Sequence, residues 1–195
     1  MNRRRLLKAF ASLPASAFAF TWTEADVTAA RSALTQAAAA GRSYTPRFLS
    51  AREYATIVAL SDLIIPRDEK SVSASEAGAP EFIDYIVAEQ PQRQTAMRGG
   101  LAWLDAECQY RFDHTFLDCN DAQRRQVLDD IAWPRRARPE MSQGVAFFTA
   151  MRDLVATGFW SSKAGVQDLG FLGNRPAAWD GAPANVLQRL GVSYE

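Results

Sequence analysis

The chain has 195 residues, 48% of them apolar and 11% aromatic, enough for one ordinary domain with a sizeable core. Its 22 basic and 22 acidic residues cancel, which gives no electrostatic footprint for nucleic acid, and no apolar run approaches the roughly 18 residues of a bilayer span. With two cysteines outside any CxxC or CxxCH spacing and a single histidine, His114, the sequence offers no thioredoxin-like pair, no cysteine zinc site and no attached c-type haem.

In chain order, residues 1–19 come first and divide as an export signal divides: a basic head, a short apolar middle and small residues near a cut site. The head resembles the twin-arginine pattern S/T-R-R-x-F-L-K. Arg3 and Arg4 form the pair, Arg5 is the free position, and Leu6, Leu7 and Lys8 complete it, with Asn2 where Ser or Thr is usual. The middle is rich in Ala and Ser and only weakly hydrophobic, which suits the twin-arginine route better than the general secretory one. Ala17 and Ala19 frame an A-x-A cleavage site, with Ala15-Ser16-Ala17 as a second. Removing the four positive charges of Arg3, Arg4, Arg5 and Lys8 from a neutral chain leaves −4, so the mature body is mildly acidic. The twin-arginine route moves proteins that are already folded, often loaded with a cofactor or a partner. This chain shows no cofactor motif of its own, so the leader points to a partner and to the periplasm.

Residues 20–49 read as an Ala-rich linker or frayed helix, and the body as residues 50–195. Ser50 and Glu53 form a capping box, followed at helical spacing by Tyr54, Ile57, Val58, Ser61 and Ile64, until Pro66 stops the helix. After a loop over residues 67–79, Pro80 suits the first turn of a second helix with the stripe Phe82, Ile83, Ile86 and Val87, ended by Pro91. A third helix is predicted from Arg93 to Arg111 with Met97, Leu101, Leu104 and Cys108 on one face. A fourth is capped by Asn120 with Gln123 and buries Val127, Leu128 and Ile131. The fifth spans Gln143 to Thr157 with the stripe Phe147, Phe148, Met151, Leu154 and Val155, and Gly158 reads as its C′ residue. From there on the sequence reads as a long irregular Gly/aromatic segment. The fold expected is all-α: a single helical domain of about five helices.

Three stretches in this order resemble the gluconate 2-dehydrogenase subunit 3 family: Ala59 to Asp84 (ALSDLIIPRDEKSVSASEAGAPEFID), Phe116 to Ile131 (FLDCNDAQRRQVLDDI) and Phe147 to Gly173 (FFTAMRDLVATGFWSSKAGVQDLGFLG). The resemblance implies a non-catalytic small (gamma) subunit of a periplasmic FAD-dependent dehydrogenase of gluconate, sugars or alcohols. It implies that FAD sits in a leaderless catalytic subunit, escorted through the twin-arginine translocon by this chain. A membrane-bound multihaem cytochrome c subunit, carrying haem c, accepts the electrons in such complexes. No cofactor and no catalytic or metal-ligating residue of this chain follows from the family pattern. The rival reading is a stand-alone periplasmic enzyme or ligand-binding protein with an unrecognised site, against which stands the lack of a patterned nucleophile and base.

His114, between Asp113 and Asp118 in sequence, reads as a surface or capping histidine because no second ligand or nucleophile is patterned around it. The acids Asp62, Asp68, Glu69, Glu76, Glu81 and Asp84 do not match a calcium-loop spacing and read as solvated or helix-start carboxylates. Gly165, Gly170 and Gly173 read as turn positions rather than a nucleotide loop. Phe159, Trp160, Phe171 and Trp179 divide between core under a long loop and an exposed surface that docks the large subunit. For Cys108 and Cys119, an intramolecular disulfide, a bridge to the partner and two free thiols all stand open.

Overall fold

The computed structural model describes residues 22–41, 43–170 and 181–193, and among these it contains eight α-helices and no strand. We number them α1 (Glu24–Ala39), α2 (Ala51–Ile64), α3 (Ala79–Glu89), α4 (Pro91–Phe112), α5 (Asp121–Ala132), α6 (Ser142–Trp160), α7 (Lys163–Asp168) and α8 (Ala184–Leu190). A 3₁₀ turn, Pro139–Met141, leads into α6. The all-α fold expected from the periodicity is the one observed. The leader residues Arg3, Arg4, Leu6, Leu7, Lys8, Ala17 and Ala19, and the aromatics Phe171 and Trp179, lie outside the described residues.

Local chemistry starts most of these helices. Ser50 accepts the N–H of Glu53 while the Glu53 carboxylate accepts the N–H of Ser50, and Asn120 and Gln123 repeat the exchange at α5. Thr23 and Asp26 form a third capping box, so much of the stretch expected as linker or frayed helix is a capped helix, α1, packed on α3. Pro91 ends α3 and also opens α4 at its first turn, two residues earlier than predicted, because a proline lacks the N–H that the first turn leaves unused.

Helix α6 is the hub and touches α2, α3, α4, α5 and α7. Its sequence supplies the reason: Phe147, Phe148, Met151, Leu154, Val155 and Phe159 form a continuous buried stripe. The crossing of α4 and α6 is close because two glycines face two rings. A Cβ on Gly100 would lie 1.9 Å from the Phe147 ring, and one on Gly144 would lie 2.1 Å from Trp103. Every stripe residue predicted for α3, α4 and α5 is buried, Cys108 included.

The C-terminal end of α6 corrects the expectation. The helix runs to Trp160, and Gly158 is a buried interior position, not a C′ residue. A Cβ there would sit 3.1 Å from Ala79 Cα, so the glycine serves the approach of α6 to α3. Ser162 then accepts the N–H of Gly165 and caps α7, so the segment read as irregular from Gly158 is helical through Asp168 and again in α8. Gly165 is packed inside α7, where a Cβ would meet the Phe159 carbonyl at 2.2 Å, whereas Gly170, at φ +64°, is the turn that was expected.

Candidate functional site

The polar side chains that sequence reading set aside turn out to hold the body together. Asp84 is fully buried on α3, and its carboxylate accepts the Tyr44 hydroxyl at 2.6 Å and the N–H groups of Arg47, Phe48 and Leu49 at 2.6, 3.1 and 2.8 Å. Burial pushes the Tyr44 hydroxyl well above its ordinary pKa, and the Asp84 hydrogen bond adds to the shift. Asp84 therefore pins residues 44–49 and sets the direction in which the chain enters α2. Asp62 on α2 accepts the N–H and hydroxyl of Ser75 at 2.9 and 2.8 Å, and Glu76 accepts the N–H of Ser73 at 2.8 Å. The expectation of solvated acids is thus corrected at Asp62 and Asp84, which organise the 67–79 loop and the segment before α2, and holds at Glu76, which is exposed while it accepts from Ser73.

Helix α1 is fastened by one cation. The Arg31 Nε donates to Ser161 Oγ at 2.9 Å, and its guanidinium lies 5.0 Å from the centre of the Phe82 ring. Arg31 also lines a cavity of about 230 Å³ with Leu34, Tyr44, Gly78 and Glu81. Burial lowers the Arg31 pKa and the Glu81 carboxylate opposes that shift. The Arg31 Nη2 and Glu81 Oε2 atoms are buried without a direct hydrogen bond.

His114 is exposed, and its Nδ1 lies 2.9 Å from the carbonyl of Asp113, as expected of a surface histidine. Among the described residues, no group of three His, Cys, Asp or Glu side chains is gathered closely enough to hold a metal ion. No described helix is long and apolar enough to cross a membrane.

Among the described residues, large apolar groups are exposed at the end of α8, where Leu190 and Val192 stand, and in two further places. At the end of α6, Trp160 is 39% exposed, and Val166 and Leu169, on and just past α7, are 37% and 61% exposed. Trp160 stands edge-on to Phe159 at 4.8 Å between ring centres. Phe159 itself is 1% exposed and belongs to the core, so its reading as an interface residue is corrected: it continues the α6 stripe. The second place is the far end of α4 and α5, where Tyr110 and Trp133 are exposed and Arg111 bridges Glu107 and Asp130 at 2.7 Å each. Tyr110 lines an open cleft of about 650 Å³ with Trp103, Arg138 and Gln143. Val166, Leu169, Tyr110 and Trp133 were missed from sequence; only the length of α6 and the existence of α7 reveal the first pair.

Cys108 on α4 and Cys119 before α5 are both buried, are not bridged and are neighbours. Burial pushes the Cys108 thiol up to about 12, and the neighbouring Cys119 and Asp105 act in the same direction.

The arrangement is thus a bundle whose buried polar groups serve its own folding and whose exposed apolar groups include clusters at the end of α6 and at the end of α4 and α5. No curated protein and no solved structure matches the chain. The family model of gluconate 2-dehydrogenase subunit 3 matches residues 51–181, from the first residue of α2 to the approach to α8 and through both cysteines and Trp160. The chain belongs to the gluconate 2-dehydrogenase subunit 3 family, and so to the subunits of a dehydrogenase complex.

Proposed function

We propose that this chain is the non-catalytic small subunit of a periplasmic, FAD-dependent gluconate, sugar or alcohol dehydrogenase, and that it carries the catalytic subunit through the twin-arginine translocon and stabilises it. The family match over residues 51–181 is the observation that carries the reading. The twin-arginine pattern at Arg3, Arg4, Leu6, Leu7 and Lys8 supports the export half of it, with cleavage after Ala19 leaving a short spacer before α1. FAD then belongs to the catalytic partner and haem c to a cytochrome subunit at the membrane. Trp160, Val166 and Leu169 form the surface offered to the catalytic subunit, since an exposed Trp beside aliphatic side chains is the usual composition of an interface anchor.

The test is a charge-preserving change in the leader. Arg3→Lys with Arg4→Lys keeps the positive charge and removes the guanidinium pair. The expected result is that this chain and a co-purifying flavoprotein, identified by its flavin absorbance, both stay in the cytoplasm. Unaltered periplasmic dehydrogenase activity in the double variant would sink the escort reading.

A further inference from the structure

We propose that Cys108 and Cys119 are a closable pair, which forms an intramolecular disulfide once the folded chain meets a disulfide oxidant. Asp105 Oδ1 accepts the N–H of Phe116 at 2.9 Å, which fixes the 113–120 connection against α4. The carbonyl of Thr115 accepts the N–H groups of both Asp118 and Cys119 at 3.0 Å, so residues 115–119 wind as one helical turn. Asp105 and Cys108 are three residues apart on one face of α4, and Phe116 and Cys119 are three apart on that turn. Arg111 on α4 also reaches Asp130 near the end of α5, so the chain runs back along α4 after Phe116 and brings Cys119 to the part of α4 that carries Cys108. The two side chains are 0% and 3% exposed and are close enough for each to feel the other's charge. That burial favours a bridge within the chain over a lasting bridge to a partner, which would hold the 113–119 turn open.

The oxidant is a reactive disulfide: a thiol–disulfide oxidoreductase in an oxidising compartment, or oxidised glutathione in vitro. The Cys119 thiol lies on the shorter, outer element. Its thiolate attacks one oxidant sulfur, breaks that S–S bond and releases one thiolate, which takes up a proton. The Cys108 sulfur, deprotonated in turn, attacks Cys119 in the mixed disulfide and expels the second thiolate. Two electrons pass to the oxidant, and the two cysteine protons end on its two thiols. Both sulfurs are buried and the Cys108 thiol is pushed up, so closure proceeds through brief opening of the 113–119 turn and is slow. A chain that folds before export is thereby spared premature bridging.

The chemistry of the pair does not depend on the proposed export; only the compartment in which it closes does. The purified, reduced full-length chain is incubated with oxidised glutathione without denaturant, then alkylated in denaturant and mapped by mass. The expected product has lost two hydrogens, takes no alkyl group and yields a linked peptide joining Cys108 to Cys119. It melts roughly 6–12 °C above the reduced form, and Cys119→Ala removes the difference between oxidising and reducing buffer. Two alkylatable thiols, a lasting glutathione adduct or a covalent dimer after long exposure would overturn the proposal. Alkylation of cell fractions separates the two readings. A chain found only in the cytoplasm that still closes in vitro supports the pair and removes the export reading; a periplasmic chain with two free thiols overturns the pair and leaves export standing.

Discussion

Around Asp84 a single buried carboxylate takes up four donors, three of them from backbone that would otherwise be left unpaired before α2. At the end of α6 the balance is reversed: polar demands are met locally by Ser162 and Thr157, and Trp160, Val166 and Leu169 remain at the surface. The first region is closed, with nothing left over for a partner. The second is locally satisfied in its hydrogen bonds and unsatisfied in its apolar area, the condition under which a surface gains most from being covered. The difference teaches that aromatic content alone does not separate core from interface in this chain. Phe159 and Trp160 are neighbours in sequence, and they fall on opposite sides of that line.

Substitution of those two neighbours breaks the comparison most sharply. Phe159→Ala should cost about 4 kcal/mol of folding stability, the range for a fully buried phenylalanine that leaves a cavity. Trp160→Ala should cost the isolated chain about 1 kcal/mol, and should weaken the complex with the catalytic subunit by about 2 kcal/mol or more. Urea denaturation of the free chain and a pull-down of the complex read the two effects separately. Equal losses of stability would place Trp160 in the core and move the docking surface to the Tyr110 and Trp133 end.

Asp84→Ala comes next. It strips the acceptor from four donors at once, and although such contributions are not additive, a loss of about 3 kcal/mol is expected. Amide exchange of Phe48 and Leu49 should accelerate along with it, since these N–H groups lose the carboxylate that accepts them. Slow exchange at both positions in the variant would show that packing of Phe48 and Leu49, rather than the carboxylate, holds the segment.

Helix starts were legible because their chemistry is local: Ser50 with Glu53, Asn120 with Gln123 and Pro80 each lie within one turn of the backbone they satisfy. Apolar stripes were legible for the same reason. The end of α6 was not. Gly158 carries the composition of a stop signal, but its purpose is contact with Ala79, which lies far away in sequence. Stopping the helix there also hid Phe159, which falls on the stripe of Phe148 and Val155 once the helix is continued. Asp84 was misread because its partners are 35 to 40 residues away, and no spacing rule links a carboxylate to backbone amides at that distance. The nearness of the two cysteines depended in the same way on the turn at residues 115–119.

The smallest effects sharpen the closed side of the comparison, because they ask whether shape alone sets it. Gly99 and Gly100 are adjacent in α4, share a helical backbone and differ only in what lies above them. Nothing stands within 4 Å of a Cβ on Gly99, whereas a Cβ on Gly100 would lie 1.9 Å from the Phe147 ring. Alanine gains helix propensity at both sites by about 1 kcal/mol relative to glycine. Gly99→Ala should therefore stabilise the chain by up to about 1 kcal/mol. At Gly100 the same gain is set against displacing a buried phenylalanine at the α4–α6 crossing, and overpacking of that kind costs about 1–3 kcal/mol. The net expectation for Gly100→Ala is a loss of about 1 kcal/mol, opposite in sign to its neighbour. Paired thermal melts of the two variants decide it. Two stabilised proteins would mean that Phe147 moves aside freely and that the crossing is looser than the fit of ring to glycine indicates.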